Sequence, residues 1–183
     1  MILAPHDSTH VYGPEHLTLD LFTEREGVLS RAGHDLHLRA EQLTARREGG
    51  LVHVEIVAGS VEPICARIGD RDAFGLLSDA DLKRIRSNLH GEILQVRRFP
   101  WIRATIAPPT EPGQRHCEAE VELCGRRGRV RLYLERSGDR VLAHAELVQT
   151  AFGIEPYTTM FGAIRVKDTI ALQASAPTAL LSP

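Results

Sequence analysis

Apolar residues recur at every second position along most of the chain, and that spacing restricts the fold more than any single residue does. In Leu17-Thr18-Leu19-Asp20-Leu21 the leucines fall on one side and polar residues on the other. Leu36, Leu38 and Ala40 repeat the pattern, and so do Val52, Val54 and Ile56. Cys117, Ala119, Val121 and Leu123 share a face against Glu118, Glu120 and Glu122. Val130, Leu132 and Leu134 follow, then Val141, Ala143, Ala145 and Leu147. Successive strand side chains point to opposite faces, so each run predicts a strand buried on one side. With residues 102–107 and a last run over 164–174, the count comes to about eight strands.

Turn chemistry sets how these strands join. Arg47-Glu48-Gly49-Gly50, Gly125-Arg126-Arg127-Gly128 and Ser137-Gly138-Asp139 predict tight turns. Short turns require antiparallel neighbours. Eight antiparallel strands in sequence predict a closed barrel or a sandwich, both of which protect sheet edges. An eight-stranded barrel is either just filled by its side chains or holds one small ligand.

One stretch has a different period. Leu82, Ile85, Leu89 and Ile93 recur at spacings of three and four, after Ser78-Asp79-Ala80-Asp81, which fits a capping box. This predicts one amphipathic helix that stops or kinks near Gly91 and finishes before Phe99-Pro100. Leu82, Ile85 and Leu89 would be its buried stripe, with the helix as plug or lid of the barrel.

Composition removes several classes of function. The length of 183 residues suits one domain, read as a lead-in over 1–15, a barrel over 16–175 and a tail over 176–183. Lys plus Arg number 22 against 24 Asp plus Glu, for a net charge of −2, which disfavours duplex binding. Aromatic residues are 5% of the chain, too few for a base-stacking platform, so no nucleic-acid partner is expected. Cys65, Cys117 and Cys124 show no CxxC spacing and read as free thiols of a reducing compartment. The N-terminal stretch lacks a signal-type apolar region, and no run reaches the roughly 18 apolar residues of a membrane span. A cytoplasmic protein without an integral membrane segment is therefore expected.

Candidate chemistry is sparse. The nine histidines are scattered without HxH or HExxH spacing, and no phosphate loop or GxSxG is present, so neither metal nor cofactor is expected. His34 beside Asp35 can be a base with its orienting carboxylate or part of a metal site. In a strand the two point to opposite faces, and so do His34 and His37, which favours a role in fastening the loop to the barrel end. The arginines of residues 126–131, with Arg97 and Arg98, could hold a phosphate head group or simply form a solvated hairpin. Phe152, Tyr157 and Phe161 flank Gly153 and Pro156, where they would close one barrel end or line a cavity mouth. Trp101, after Phe99-Pro100, would pack under the helix or reach the cavity.

Three segments resemble one family. Residues 26–36 (EGVLSRAGHDL) resemble the "REG…GHDL" segment of YceI-like proteins, and residues 81–103 resemble that family's helix and the aromatic-Pro pair after it. Residues 149–157 (QTAFGIEPY) with 161–168 are similar to its C-terminal signature. The resemblance implies a lipocalin-like, eight-stranded antiparallel barrel with one helix, all-β otherwise. Periplasmic members bind a polyisoprenoid chain and dimers occur among them. Lacking a leader of their kind, this chain reads as a cytosolic GHDL variant, with a homodimer left open. The expected function is non-catalytic binding of a long apolar small molecule, an isoprenoid or acyl chain. Its ligand-binding residues would be His34, Leu36, Leu38, Phe99, Trp101, Gln149, Phe152, Tyr157 and Phe161. Two alternatives stand beside it: a metal-dependent or His/Asp-based enzyme using His34 and Asp35, and a side-chain-filled barrel acting as a structural or interaction protein through its surface or as a dimer.

Overall fold

The computed structural model describes residues 10–27, 33–111, 113–159, 161 and 163–181. In chain order the strands are β1 (Val11–Tyr12), β2 (Thr18–Thr23), β3 (Arg25–Glu26), β4 (Asp35–Ala40), β5 (Leu43–Glu48), β6 (Leu51–Val57), β7 (Val61–Ile68) and β8 (Arg71–Ala73). After the helix α1 (Asp79–Asn88) come β9 (Trp101–Ile106), β10 (His116–Leu123), β11 (Arg126–Ser137), β12 (Arg140–Val148), β13 (Thr158–Thr159), β14 (Ile164–Val166) and β15 (Thr169–Pro177). The main sheet has twelve strands in the order β1-β5-β6-β9-β10-β11-β12-β15-β2-β4-β7-β8, and β13-β14-β3 form a second sheet. All pairings are antiparallel.

The expected eight-stranded barrel is corrected to this strongly curled twelve-stranded sheet. The physical reason is that a corner in the hairpin adds β5 and β7, and the short strands β1 and β8 extend the two edges. Residues 41–42 alone separate β4 from β5, and the one turn Ala58–Ser60 separates β6 from β7. Because β5 pairs with β6 while β4 pairs with β7, the bent hairpin supplies strands to both halves of the strand order. Buried Ser60 holds the corner: Gln42 N donates to Ser60 Oγ at 3.0 Å, and Glu41 N donates to Ser60 O at 3.0 Å. Within the span read as a lead-in, Val11–Tyr12 adds to the edge of β5. At the other end β15 runs on to Pro177, and Leu180 beyond it is buried. Residues 1–9 and 28–32, with Gly162 of the C-terminal motif, lie outside the described residues.

The turns follow their chemistry with one shift. Gly49 and Gly50 carry φ of +59° and +82°, which lets β5 and β6 join through two residues. The β10–β11 turn is Cys124-Gly125 rather than residues 125–128, because β11 begins at Arg126. Its arginines therefore lie in a ladder. Arg127 pairs with Glu122 at 3.3 Å, and Arg131 and Arg129 reach Glu118 at 3.7 and 3.9 Å. Such exposed pairs contribute about 0–1 kcal/mol each and describe a solvated outer face.

The helix begins where the capping box places it. Asp81 N donates to Ser78 Oγ at 3.2 Å and Ser78 N donates to Asp81 Oδ2 at 3.2 Å. α1 then widens into a π turn, Leu89–Ile93, that contains Gly91. The Arg86–Glu62 ion pair ties α1 to β7, and His90 Nε2 donates to Val61 O at 2.9 Å. Leu82, Ile85 and Leu89 are half-buried, and no residue of α1 is fully buried. Among the described residues no helix is long and apolar enough to cross a membrane.

A helix with so little burial depends on its cap. Ser78→Ala should lower stability by about 0.5–2 kcal/mol and speed hydrogen exchange across α1. Unchanged exchange there would show that the cap is dispensable.

Candidate functional site

The curled sheet encloses a cavity of about 880 Å³. Alternation decides what lines it. Leu17, Leu19 and Leu21 face it, as do Val52, Val54 and Ile56. Cys117, Ala119, Val121 and Leu123 do so from β10, with Val130, Leu132 and Leu134 from β11. β12 adds Val141, Ala143, Ala145 and Leu147. Apart from Ala40, which is buried in the core beside the cavity, these inward sets read from period two are thus cavity wall. The helix closes part of the mouth with Ile85, Leu89 and Ile93.

Five of the nine expected site residues meet at this cavity. Leu36 and Leu38 form wall, while His34 and Tyr157 stand in the lining with polar neighbours, His34 being solvent-exposed. Gln149 also lines it but is buried and committed to the backbone, since its Nε2 donates to Lys167 O at 2.9 Å. The other four are elsewhere. Trp101 is 45% exposed, because inward Ile102 and Ala104 force residue 101 to the outer face. Phe99 packs at the β10–β11 turn, where a side chain at 125 would come within 2.6 Å of its Cε1. Phe152 is only 2% exposed and packs on Gly128, where any Cβ would meet its Cζ at 2.8 Å. Phe161 is fully exposed.

The family-like motifs act largely as fasteners. Asp35 Oδ1 accepts from Arg25 N at 2.8 Å, and Leu36 N donates to Thr23 Oγ1 at 3.2 Å, so the GHDL segment is stitched to the end of β2. The C-terminal motif makes a clasp. Thr150 N and Thr150 Oγ1 donate to the two Asp168 carboxylate oxygens at 2.8 and 2.6 Å, and Gln149 N donates to Asp168 O at 2.9 Å. The bonds from the Thr150 hydroxyl and then its amide hold the Asp168 carboxyl below the usual carboxylate range.

Polar groups that strand reasoning missed ring the mouth: Arg25, Asp81, Arg84, Asn88 and Arg165. Helical spacing carried a signal for three of them, since 81, 84 and 88 share a face with Ile85. Each arginine has a carboxylate: Arg25–Asp35 at 3.4 Å, Arg84–Asp81 at 2.7 Å and Arg165–Glu26 at 3.7 Å. Asn88 Nδ2 donates to Tyr157 Oη at 2.8 Å and joins the helix to the loop opposite. The rim is polar and balanced in charge; the interior is aliphatic.

No protein-family model and no curated protein matches the sequence. Solved structures do match. One is a polyisoprenoid binding domain from Saccharophagus degradans implicated in plant cell wall breakdown, with a TM-score of 0.56 and 10% identity over 91% of this chain and 97% of that one. Another is BcnA of Burkholderia cenocepacia, with a TM-score of 0.52 and 9% identity over 87% of this chain and 96% of that one. At such identity the likeness speaks to fold, and the fold is the YceI-like one.

The clasp has a pH signature. A carboxyl whose folded pKa is lowered contributes stability that is present above its unfolded value and lost as pH falls through the lowered one. The Thr150 amide should therefore lose hydrogen-exchange protection on acidification below the usual carboxylate range, and Asp168→Ala should lose it at neutral pH. Protection independent of both would remove Asp168 from the clasp.

Proposed function

We propose that the protein binds a long apolar molecule, an isoprenoid or fatty-acyl chain, in the cavity and performs no chemistry on it. The observation that carries this reading is the cavity of about 880 Å³ walled by aliphatic side chains from the inner face of the sheet. Its size lies in the upper part of the range for small-molecule sites, about 300–1,000 Å³. Affinity would come from burial, at about 0.8 kcal/mol per methylene removed from water. A tail held this way needs few polar contacts inside, and the polar residues at the rim, His34, Arg84 and Tyr157 among them, would meet the head group. The polyisoprenoid binding of one structural neighbour supports the choice of ligand class. The absence of chemistry is supported by Asp35, which is engaged by Arg25 rather than free to orient His34.

Filling the cavity tests the reading. Ala119 is buried at the centre of β10 and faces inward. Ala119→Trp should weaken binding of a fluorescent prenyl or acyl probe by about tenfold or more, a loss of at least about 1.4 kcal/mol. Arg131→Ala on the outer face of β11 should leave it unchanged. Equal affinity in a folded Ala119→Trp variant would place the probe outside the cavity.

A further inference from the structure

On the outer face of the curled sheet, away from the cavity, β4, β7 and β8 bring together three side chains of metal-ligating chemistry. His37 lies between Leu36 and Leu38, which face the cavity, so its ring projects from the opposite side. Its register partner is Cys65 on β7, at a bulge that shifts the β4–β7 register beside His37. Two residues on, Arg67 pairs with Asp72 of β8, which sets the Asp72 side chain diagonally across from Cys65. The ligand atoms of His37, Cys65 and Asp72 all lie within 4.8 Å of one another. His37 and Cys65 are 6% and 3% exposed, whereas Asp72 is exposed and opens the cluster to solvent.

The surroundings of His37 make this more than a chance meeting. Its Nε2 lies 2.8 Å from Asp20 Oδ1 and its Nδ1 3.0 Å from Asp72 Oδ2. A carboxylate behind one ring nitrogen, with the other nitrogen turned toward further ligands, is the arrangement that orients metal-binding histidines. Asp20 is itself braced by Arg39 Nε at 2.7 Å. Burial pushes the Asp20 carboxyl up, but hydrogen bonds and charge from Arg39 and His37 outweigh it and hold the carboxyl below the usual range, so Asp20 stays an acceptor. Asp72 divides its oxygens: Oδ1 faces Arg67 Nε at 3.7 Å, and Oδ2 faces His37. The Arg67 guanidinium is stacked 4.3 Å over the Phe22 ring.

We propose that His37 Nδ1, Cys65 Sγ and Asp72 Oδ2 form a binding site for a borderline-soft divalent ion of the zinc type, with Asp20 as the carboxylate that positions His37. Nitrogen, thiolate and carboxylate are the ligand types such ions take, and three protein ligands leave a fourth position toward solvent. Bonds of about 2.0–2.3 Å to a tetrahedral ion separate ligand atoms by roughly 3.3–3.6 Å. The cluster reaches that geometry by a slight opening of the 3.0 Å His37–Asp72 contact and a contraction of its longest separation, which is at most 4.8 Å. Burial and the charge of Asp72 push the Cys65 thiol up, so the ion must displace the thiol proton. His37 Nδ1 binds the ion through its lone pair, so any proton it shares with Asp72 is released along with the thiol proton, both to solvent.

Cobalt(II) is the probe, added to chelator-treated protein. Expected is one ion per chain with the near-ultraviolet absorption of a thiolate-to-cobalt charge transfer, displaced by zinc. Cys65→Ser should abolish that absorption, and Asp72→Asn should weaken affinity. Asp20→Asn should weaken affinity about 10- to 100-fold while leaving the absorption in place, since it removes an orienting group and not a ligand. No charge-transfer absorption, or one that survives Cys65→Ser, overturns the site. If Cys65→Ser fails to fold, Asp72→Asn on the exposed β8 decides, and cobalt affinity equal to that of the parent protein overturns it too.

Discussion

The inner face of the curled sheet must be apolar, yet the side chains on it are too slim to meet in the middle. Ala104, Ala119, Ala143, Ala145 and Val130 face inward from four neighbouring strands where larger residues would close the space. With aromatic residues at 5% of the chain, few large rings exist to fill it, and Phe152 spends its ring against Gly128 outside the cavity wall. An apolar space of this kind is a poor host for water and a good one for an apolar guest. The helix depends on the same fact. Its apolar residues Ile85 and Leu89 look into the cavity and are only half-buried, so a bound chain would complete their burial and tighten the helix over the mouth.

The two faces of each strand divide the work. Inward residues set the cavity, while outward ones form cross-strand pairs such as Glu122–Arg127 and Glu55–Arg103. Exposed pairs of this kind add little stability individually, so the ladder and the inner wall carry the fold. Among the described residues an exception lies around His37, where an outward position is buried by β7 and β8 and becomes a charged network instead of a solvated surface. The proposed cavity binding and the proposed ion site would thus be separate properties of one curled sheet, related only because alternate residues of β4 line each in turn.

Much of this was legible in the sequence because a period of two is a local property. The inward residues of β2, β6, β10, β11 and β12 follow from alternation alone, and α1 follows from its cap and its spacing of three and four. The bends were not legible. In β7 the order Val61-Glu62-Pro63-Ile64-Cys65-Ala66 buries Cys65 and Ala66 in succession, so no clean alternation announces a strand. The corner at Ser60 is made by contacts with residues 41 and 42, about eighteen positions away, and it adds β5 and β7, which with the short edge strands β1 and β8 raise the main-sheet count from eight to twelve. Four of the five expected aromatic site residues lie off the cavity for a related reason: size says that a ring will be useful, and strand phase says where it points. Trp101 is outward by phase, and the partner of Phe152 is a glycine on another strand.

The most direct test of the central claim is native mass spectrometry of the freshly purified protein, repeated after mild organic extraction. An occupied cavity gives a chain mass raised by a small apolar molecule that extraction removes and that added prenyl or acyl lipid restores. A protein that carries no such molecule and takes up neither lipid class would contradict the account.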